Sequence, residues 1–184
     1  MSNILVACFS ATGTTKRAAK GLAEALGADT FEIVPQTPYT STDLNWSDST
    51  SRSTSEMNDE ASRPPISGTV DDMDSYDAVF VGFPIWWYTE PRIIDTFLES
   101  YDFSGKTIVP FATSGGSGLG KAPERMQRIA TSSTVTSFIA LKELSFPSFS
   151  TFSHPVNRKT PAISVNIRVK LSNLNVFFIS VLHF

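Results

Sequence analysis

The sequence predicts an α/β protein built on a doubly wound, three-layer parallel sheet. The prediction rests on continuous apolar runs of strand length at residues 4–9, 78–83 and 107–112, each followed by a helical apolar pattern. A run without in-and-out alternation belongs to a strand covered on both faces, the situation inside a parallel sheet. Strands alternating with helices imply right-handed crossovers, so ligands bind beyond the carboxyl ends of the strands.

The first strand is expected over residues 4–9 and a helix over 14–26, where Ala18, Leu22 and Ala25 or Leu26 share a face and Gly27 supplies the stop. Residues 30–34 read as a short second strand. Residues 39–65 turn to Ser, Thr, Asp, Asn and Pro, with Leu44, Trp46 and Met57 as apolar anchors, and read as a long surface excursion. After the strand at 78–83, a helix over 91–100 begins at Pro91 and turns Ile94, Phe97 and Leu98 inward. A strand at 107–112, a helix near 123–129 and a weaker fifth strand at 135–141 complete the pattern.

A chain of 184 residues suffices for one sizeable core and is short for two comfortable domains. The expected organisation is one domain over residues 1–143 and an atypical tail over 144–184. The tail differs in charge as well: residues before Met126 hold nine Lys/Arg against seventeen Asp/Glu, and residues from Met126 onward hold six against one. Pro147, Pro155 and Pro161 forbid one continuous helix there, and poor packing is expected beyond about Glu143. The strand-formers at 163–169 and 176–182 would be an aggregation liability if exposed.

A formal charge of -3 with 41% apolar residues argues against nucleic-acid binding. No run approaches the roughly 20 apolar residues of a membrane-spanning helix, so no membrane partner is expected. Cys8 is the single cysteine, placed in an apolar run, which fits a buried thiol and a cytoplasmic setting. His154 and His183 have no Cys or acidic cluster at ligand spacing, so no metal site is expected. No catalytic acid, base or nucleophile arrangement is evident.

Three loops should open at one sheet edge. Ser10, Ala11, Thr12, Gly13, Thr14 and Thr15 join an apolar run to a helix, and amides in a first helical turn are ready donors for a phosphate. A plain N-cap accounts for one hydroxyl, whereas four hydroxyls and a glycine exceed that need. The segment lacks the glycine spacing of a Walker A loop, and residues 115–120 lack that of the dinucleotide fingerprint. Pro84, Ile85, Trp86, Trp87 and Tyr88 could pack as core aromatics, but their place at a strand end favours stacking on a planar ligand. Thr113, Ser114, Gly115, Gly116 and Gly118 could form a mere flexible turn, yet glycines there would also let the backbone approach a ligand closely.

In this order the three loops resemble those of the flavodoxin-like family from about residue 4 to 129. The resemblance implies a five-stranded sheet of order 2-1-3-4-5 and bound FMN, its phosphate held by amides and hydroxyls, so that Lys16 and Arg17 need not be ligands. It implies that Trp86 and Trp87 flank the ring and that Thr113 to Gly118 bond its pyrimidine edge. One-electron flavodoxins usually carry a small or Gly-containing dipeptide beside the flavin N5, which residues 85–89 lack; the aromatic loop is similar to flavin-dependent quinone and azo reductases.

The expected function is electron transfer through bound flavin, to a redox partner protein or a small-molecule acceptor. The alternatives are an NAD(P)H-dependent quinone or flavin reductase and, in a different class, a flavin-free binding or structural module.

Overall fold

The computed structural model describes residues 3–117, 120–136, 139–142, 163–171 and 174–182. The chain divides into two compact units, residues 1–143 and 144–184. The first unit carries the parallel sheet, in the order β2 (Asp29–Glu32), β1 (Ile4–Cys8), β5 (Ala78–Pro84), β6 (Thr107–Ser114) and a fifth position beyond β6. That fifth position is filled by two segments, β7 (Thr134–Val135) beside the start of β6 and β8 (Ile139–Lys142) beside its end. All these pairings are parallel. By position in the sheet the order is the expected 2-1-3-4-5.

Central strands of this kind are buried over all but their end residues. Val79, Val81 and Phe83 are inaccessible, and so are Ile108, Val109 and Phe111. Such side chains contribute about 1.5–3 kcal/mol each on full burial, so the sheet core supplies much of the stability. Gly82 has no side chain for a packing reason: a Cβ there would stand 2.2 Å from the Phe111 ring.

α1 (Thr14–Leu26) follows Gly13, whose left-handed φ of 87° suits glycine, and ends at left-handed Gly27. α3 (Arg92–Glu99) starts behind Pro91 and buries Ile93, Ile94, Phe97 and Leu98. Phe97 packs against Phe31, Tyr101 and Phe103 at ring separations of 6.0, 5.4 and 6.0 Å. α4 (Ala122–Ile129) buries Ala122 and Met126.

Two expectations needed adjustment. The second strand ends at Glu32, and Ile33 donates its amide to the Cys8 carbonyl while being fully buried. Val34–Pro35 then forms β3, paired antiparallel with β4 (Ile66–Ser67), because the excursion must return to where it left the sheet. The excursion itself holds α2 (Arg52–Asn58), capped by the Ser51 hydroxyl, which accepts from the Thr54 amide.

In the second unit β9 (Ile163–Leu171) and β10 (Leu174–Leu182) pair as an antiparallel hairpin, Ile163 opposite Leu182. The expected poor packing after about Glu143 falls in part on residues 143–162, outside the described residues.

Candidate functional site

The carboxyl ends of β1, β5 and β6 lie side by side, with Cys8 opposite Gly82 and Pro84 opposite Thr113. The three predicted loops therefore leave from one edge. Ser10, Ala11, Thr12, Thr14 and Thr15 line one wall of an open hollow of about 170 Å³. Pro84, Ile85 and Trp86 line a second wall and Thr113, Ser114 and Gly115 a third.

The N-terminus of α1 points its resources at this hollow. Gly13 takes the cap position with no side-chain hydrogen bond, and the first turn contains no acidic residue. The first-turn amides are thus left without a side-chain acceptor, at the positive end of the helix dipole. No lysine or arginine is among the described residues that line it. Lys16 is instead paired with Glu32 at 2.6 Å on an exposed surface, so neutral donors remain for an anion. Thr15 behaves differently from its neighbours: its hydroxyl is buried and lies 2.8 Å from the Thr113 hydroxyl. It joins the first loop to the third.

The aromatic segment is a two-residue turn. Trp86 and Thr89 exchange both backbone hydrogen bonds, at 3.0 and 2.9 Å. Trp87 and Tyr88 between them take φ values of 46° and 62°. Two successive left-handed residues define the type I′ turn, which ordinarily selects Asn and Gly. Holding large aromatic residues there costs about 1–3 kcal/mol each, a strain that typically marks functional sites. The turn is held from outside: the Lys121 amide donates to the Tyr88 carbonyl at 2.9 Å. Gly120 makes that approach possible, since a Cβ on it would meet the Tyr88 carbonyl oxygen at 1.8 Å.

Trp86 turns toward the protein, edge-on to Phe9 at 5.7 Å and to Tyr39 at 5.5 Å, while still lining the hollow. Tyr39 is fixed in turn, its hydroxyl donating to Glu56 at 2.5 Å and the Arg52 guanidinium lying 4.1 Å over its ring. Burial and the neighbouring Glu56 push the Tyr39 phenol well above its ordinary range, so it stays a protonated donor. Trp87 and Tyr88, by contrast, are 43% and 69% exposed.

Sequence reasoning missed the contribution of the excursion. Leu44, Trp46 and Ser53 join Trp87 and Tyr88 around a second hollow of about 530 Å³, which shares Ala11, Thr12, Pro84, Ile85 and Trp86 with the first. The isolated Trp46 in a polar stretch was the available signal. Gly120 and Lys121 were also missed, and only the turn geometry reveals them. Gly116 sits at φ 140° and receives the Ser114 hydroxyl as acceptor for its amide. Gly118 lies outside the described residues.

Behind the aromatic turn is a charged network. Arg125 donates to Glu90 at 2.8 Å and to Asp95 at 3.0 Å, both carboxylates being fully buried, and the Thr89 hydroxyl donates to Glu90. Burial, and then the Glu90 charge, push the Asp95 carboxyl up to about 7 against the opposing pull of Arg125. Burial likewise pushes the Cys8 thiol up to about 12, which keeps it protonated at neutral pH. No cluster that could hold a metal occurs among the described residues. Nor, among them, is any helix long and apolar enough to cross a membrane.

A parallel α/β sheet brings an uncapped helix N-terminus, an aromatic turn and a Gly-Ser loop together at one edge. The chain belongs to the flavodoxin family, whose model matches residues 3–141. A proposed flavoprotein from Bacteroides eggerthii DSM 20697 is 48% identical, with a TM-score of 0.75 over 77% of this chain and 89% of that one. Another from Bacteroides uniformis ATCC 8492 is 46% identical, with a TM-score of 0.75 over 78% and 92%. A flavoprotein in complex with FMN from Lactobacillus acidophilus NCFM shares the fold at 18% identity, with a TM-score of 0.64 over 76% of this chain and 93% of that one. No curated protein matches the chain.

Proposed function

We propose that this protein is an FMN-binding redox flavoprotein that transfers electrons through the bound flavin. The observation that carries the reading is the α1 N-terminus, free of a side-chain cap and of acids, opening into a hollow shared with an aromatic turn and a Gly-Ser loop. Those features fit the two halves of FMN, a phosphate and a planar ring. The Thr14, Thr15 and Lys16 amides would receive the phosphate with help from the Ser10, Thr12 and Thr14 hydroxyls. The Ile85–Trp86 segment would support one face of the ring, and backbone amides of the 113–116 loop would meet its polar edge. The isoalloxazine supplies the redox chemistry, and the chain positions it and shields it from water. A cytoplasmic setting suits the buried reduced thiol.

The test is the visible spectrum of the purified protein and its response to FMN. Saturable binding with a perturbed flavin absorption band supports the reading; a colourless protein that ignores FMN would leave a flavin-free module. The strained, glycine-free aromatic turn also favours a second reading, an NAD(P)H-dependent reductase acting on a small acceptor. Bleaching of the bound flavin by NAD(P)H alone separates the two.

A further inference from the structure

The second hollow is built differently from the first. It shares the Pro84 to Trp86 wall, but no residue of the 113–116 loop borders it. A ring whose polar edge bonds to that loop therefore lies over the first hollow. The second is left beside it, across Ile85 and Trp86.

Its walls specify what it would accept. None of the described residues lining it carries a charge. Among those described residues, the only hydroxyls besides the Tyr88 phenol belong to Thr12 and Ser53. An ion entering it would give up hydration with no counter-charge in return, a cost of several kcal/mol. An apolar planar molecule would lose nothing and would gain stacking on indole and phenol faces.

The exposed surface points the same way. Four large apolar side chains are exposed among the described residues, and three of them, Trp46, Trp87 and Tyr88, border this hollow. Trp46 is 77% exposed, and a cluster of this kind on a soluble surface marks a binding site. Two of the three are held in left-handed backbone that large side chains ordinarily avoid. At about 530 Å³ the space lies within the range of small-molecule sites, roughly 300–1,000 Å³.

We infer that this hollow is a second binding site, for an uncharged planar aromatic molecule seated beside the flavin and stacked on Trp46. The inference rests on the flavin reading above. It assigns Leu44, Trp46, Trp87 and Tyr88 to selection by charge and shape, and it excludes the diphosphate portion of a dinucleotide from this hollow.

The test compares 2-methyl-1,4-naphthoquinone with its sulfonated, anionic analogue on FMN-loaded protein, read by tryptophan fluorescence under oxidising conditions with no reductant. The neutral quinone should quench saturably and bind at least tenfold more tightly than the sulfonate. Trp46→Ala, at an exposed position that the fold does not depend on, should weaken the quinone at least fivefold and leave FMN affinity within twofold. Equal binding of both probes, no saturable quenching, or unchanged quinone binding in the variant would overturn the inference. A variant that loses FMN to the same degree would show that the hollow holds the flavin ring itself, and would overturn it too. Protein that takes up no FMN refutes the flavin reading alone, and the same pair of titrations on the flavin-free protein then decides the hollow.

Discussion

The Thr15 hydroxyl lies 2.8 Å from the Thr113 hydroxyl, a buried hydrogen bond spanning 98 residues of chain. It ties the first turn of α1 to the end of β6, joining the first of the three loops to the third. The Ile85 amide adds a third attachment by donating to the Thr113 carbonyl at 3.0 Å. Thr113 is the residue at which all three loops meet.

Replacing either threonine by valine strands the other hydroxyl in a buried place, at a cost of about 1–3 kcal/mol. Replacing both removes the polar pair and leaves methyl groups of similar shape. Urea denaturation of the two single variants and the double should therefore give a double-variant loss smaller than the sum. Strict additivity would show that the two hydroxyls are independent.

The phosphate turn should contribute most of the discrimination between FMN and riboflavin, since hydrogen bonds to a charged acceptor are worth about 1.5–3 kcal/mol each. Thr12→Ala combined with Thr14→Ala should weaken FMN by roughly tenfold or more, on that same scale, and change riboflavin little. Equal losses for the two ligands would remove the phosphate from this turn.

Much of this was legible in the residues because the signals are local. Unalternating apolar runs marked β1, β5 and β6, and Gly27 and Pro91 marked the end of α1 and the start of α3. The split fifth strand was harder to read, since the hydroxyl-rich residues 132–137 do not look like a buried run. The wall formed by Leu44, Trp46 and Ser53 was illegible for another reason: it depends on where a 27-residue excursion returns, which periodicity does not encode. The support from Gly120 and Lys121 arises only in the folded chain, because nothing in their spacing announces the Tyr88 carbonyl.

The Asp95 carboxyl supplies a pH dependence of defined sign. Its folded value is raised from 3.8 to about 7, chiefly by burial and next by Glu90, with Arg125 opposing and Arg92 and Arg63 at 3.7 and 3.8 Å. Between those two values the folded protein holds a proton that the unfolded chain has released, so this group's contribution to stability falls as pH rises. Asp43, Asp48, Glu99 and Asp102 are held below their ordinary carboxylate range, so their contribution has the opposite sign and changes chiefly at the acid end. Asp95→Asn should therefore lessen the fall of the urea midpoint between pH 5 and pH 8 relative to the parent protein. A variant whose fall is equal or steeper would contradict the assignment.

The support of the aromatic turn can be isolated with two glycines. Gly120 and Gly105 both have left-handed backbone, at φ 52° and 75°, so alanine at either costs about 1–2 kcal/mol from conformation alone. At Gly105 a Cβ meets nothing within 4 Å, whereas at Gly120 it would reach the Tyr88 carbonyl oxygen at 1.8 Å. Gly105→Ala should then lower stability without altering ligand affinity. Gly120→Ala must push Tyr88 away, breaking the Lys121 bond and releasing the strained turn that holds Trp86 in the wall of the first hollow. Its FMN affinity, measured by flavin fluorescence, should fall about tenfold, the equivalent of one hydrogen bond. If the two alanine variants retain the same FMN affinity, the turn does not need the α4 side of the protein to hold it in place.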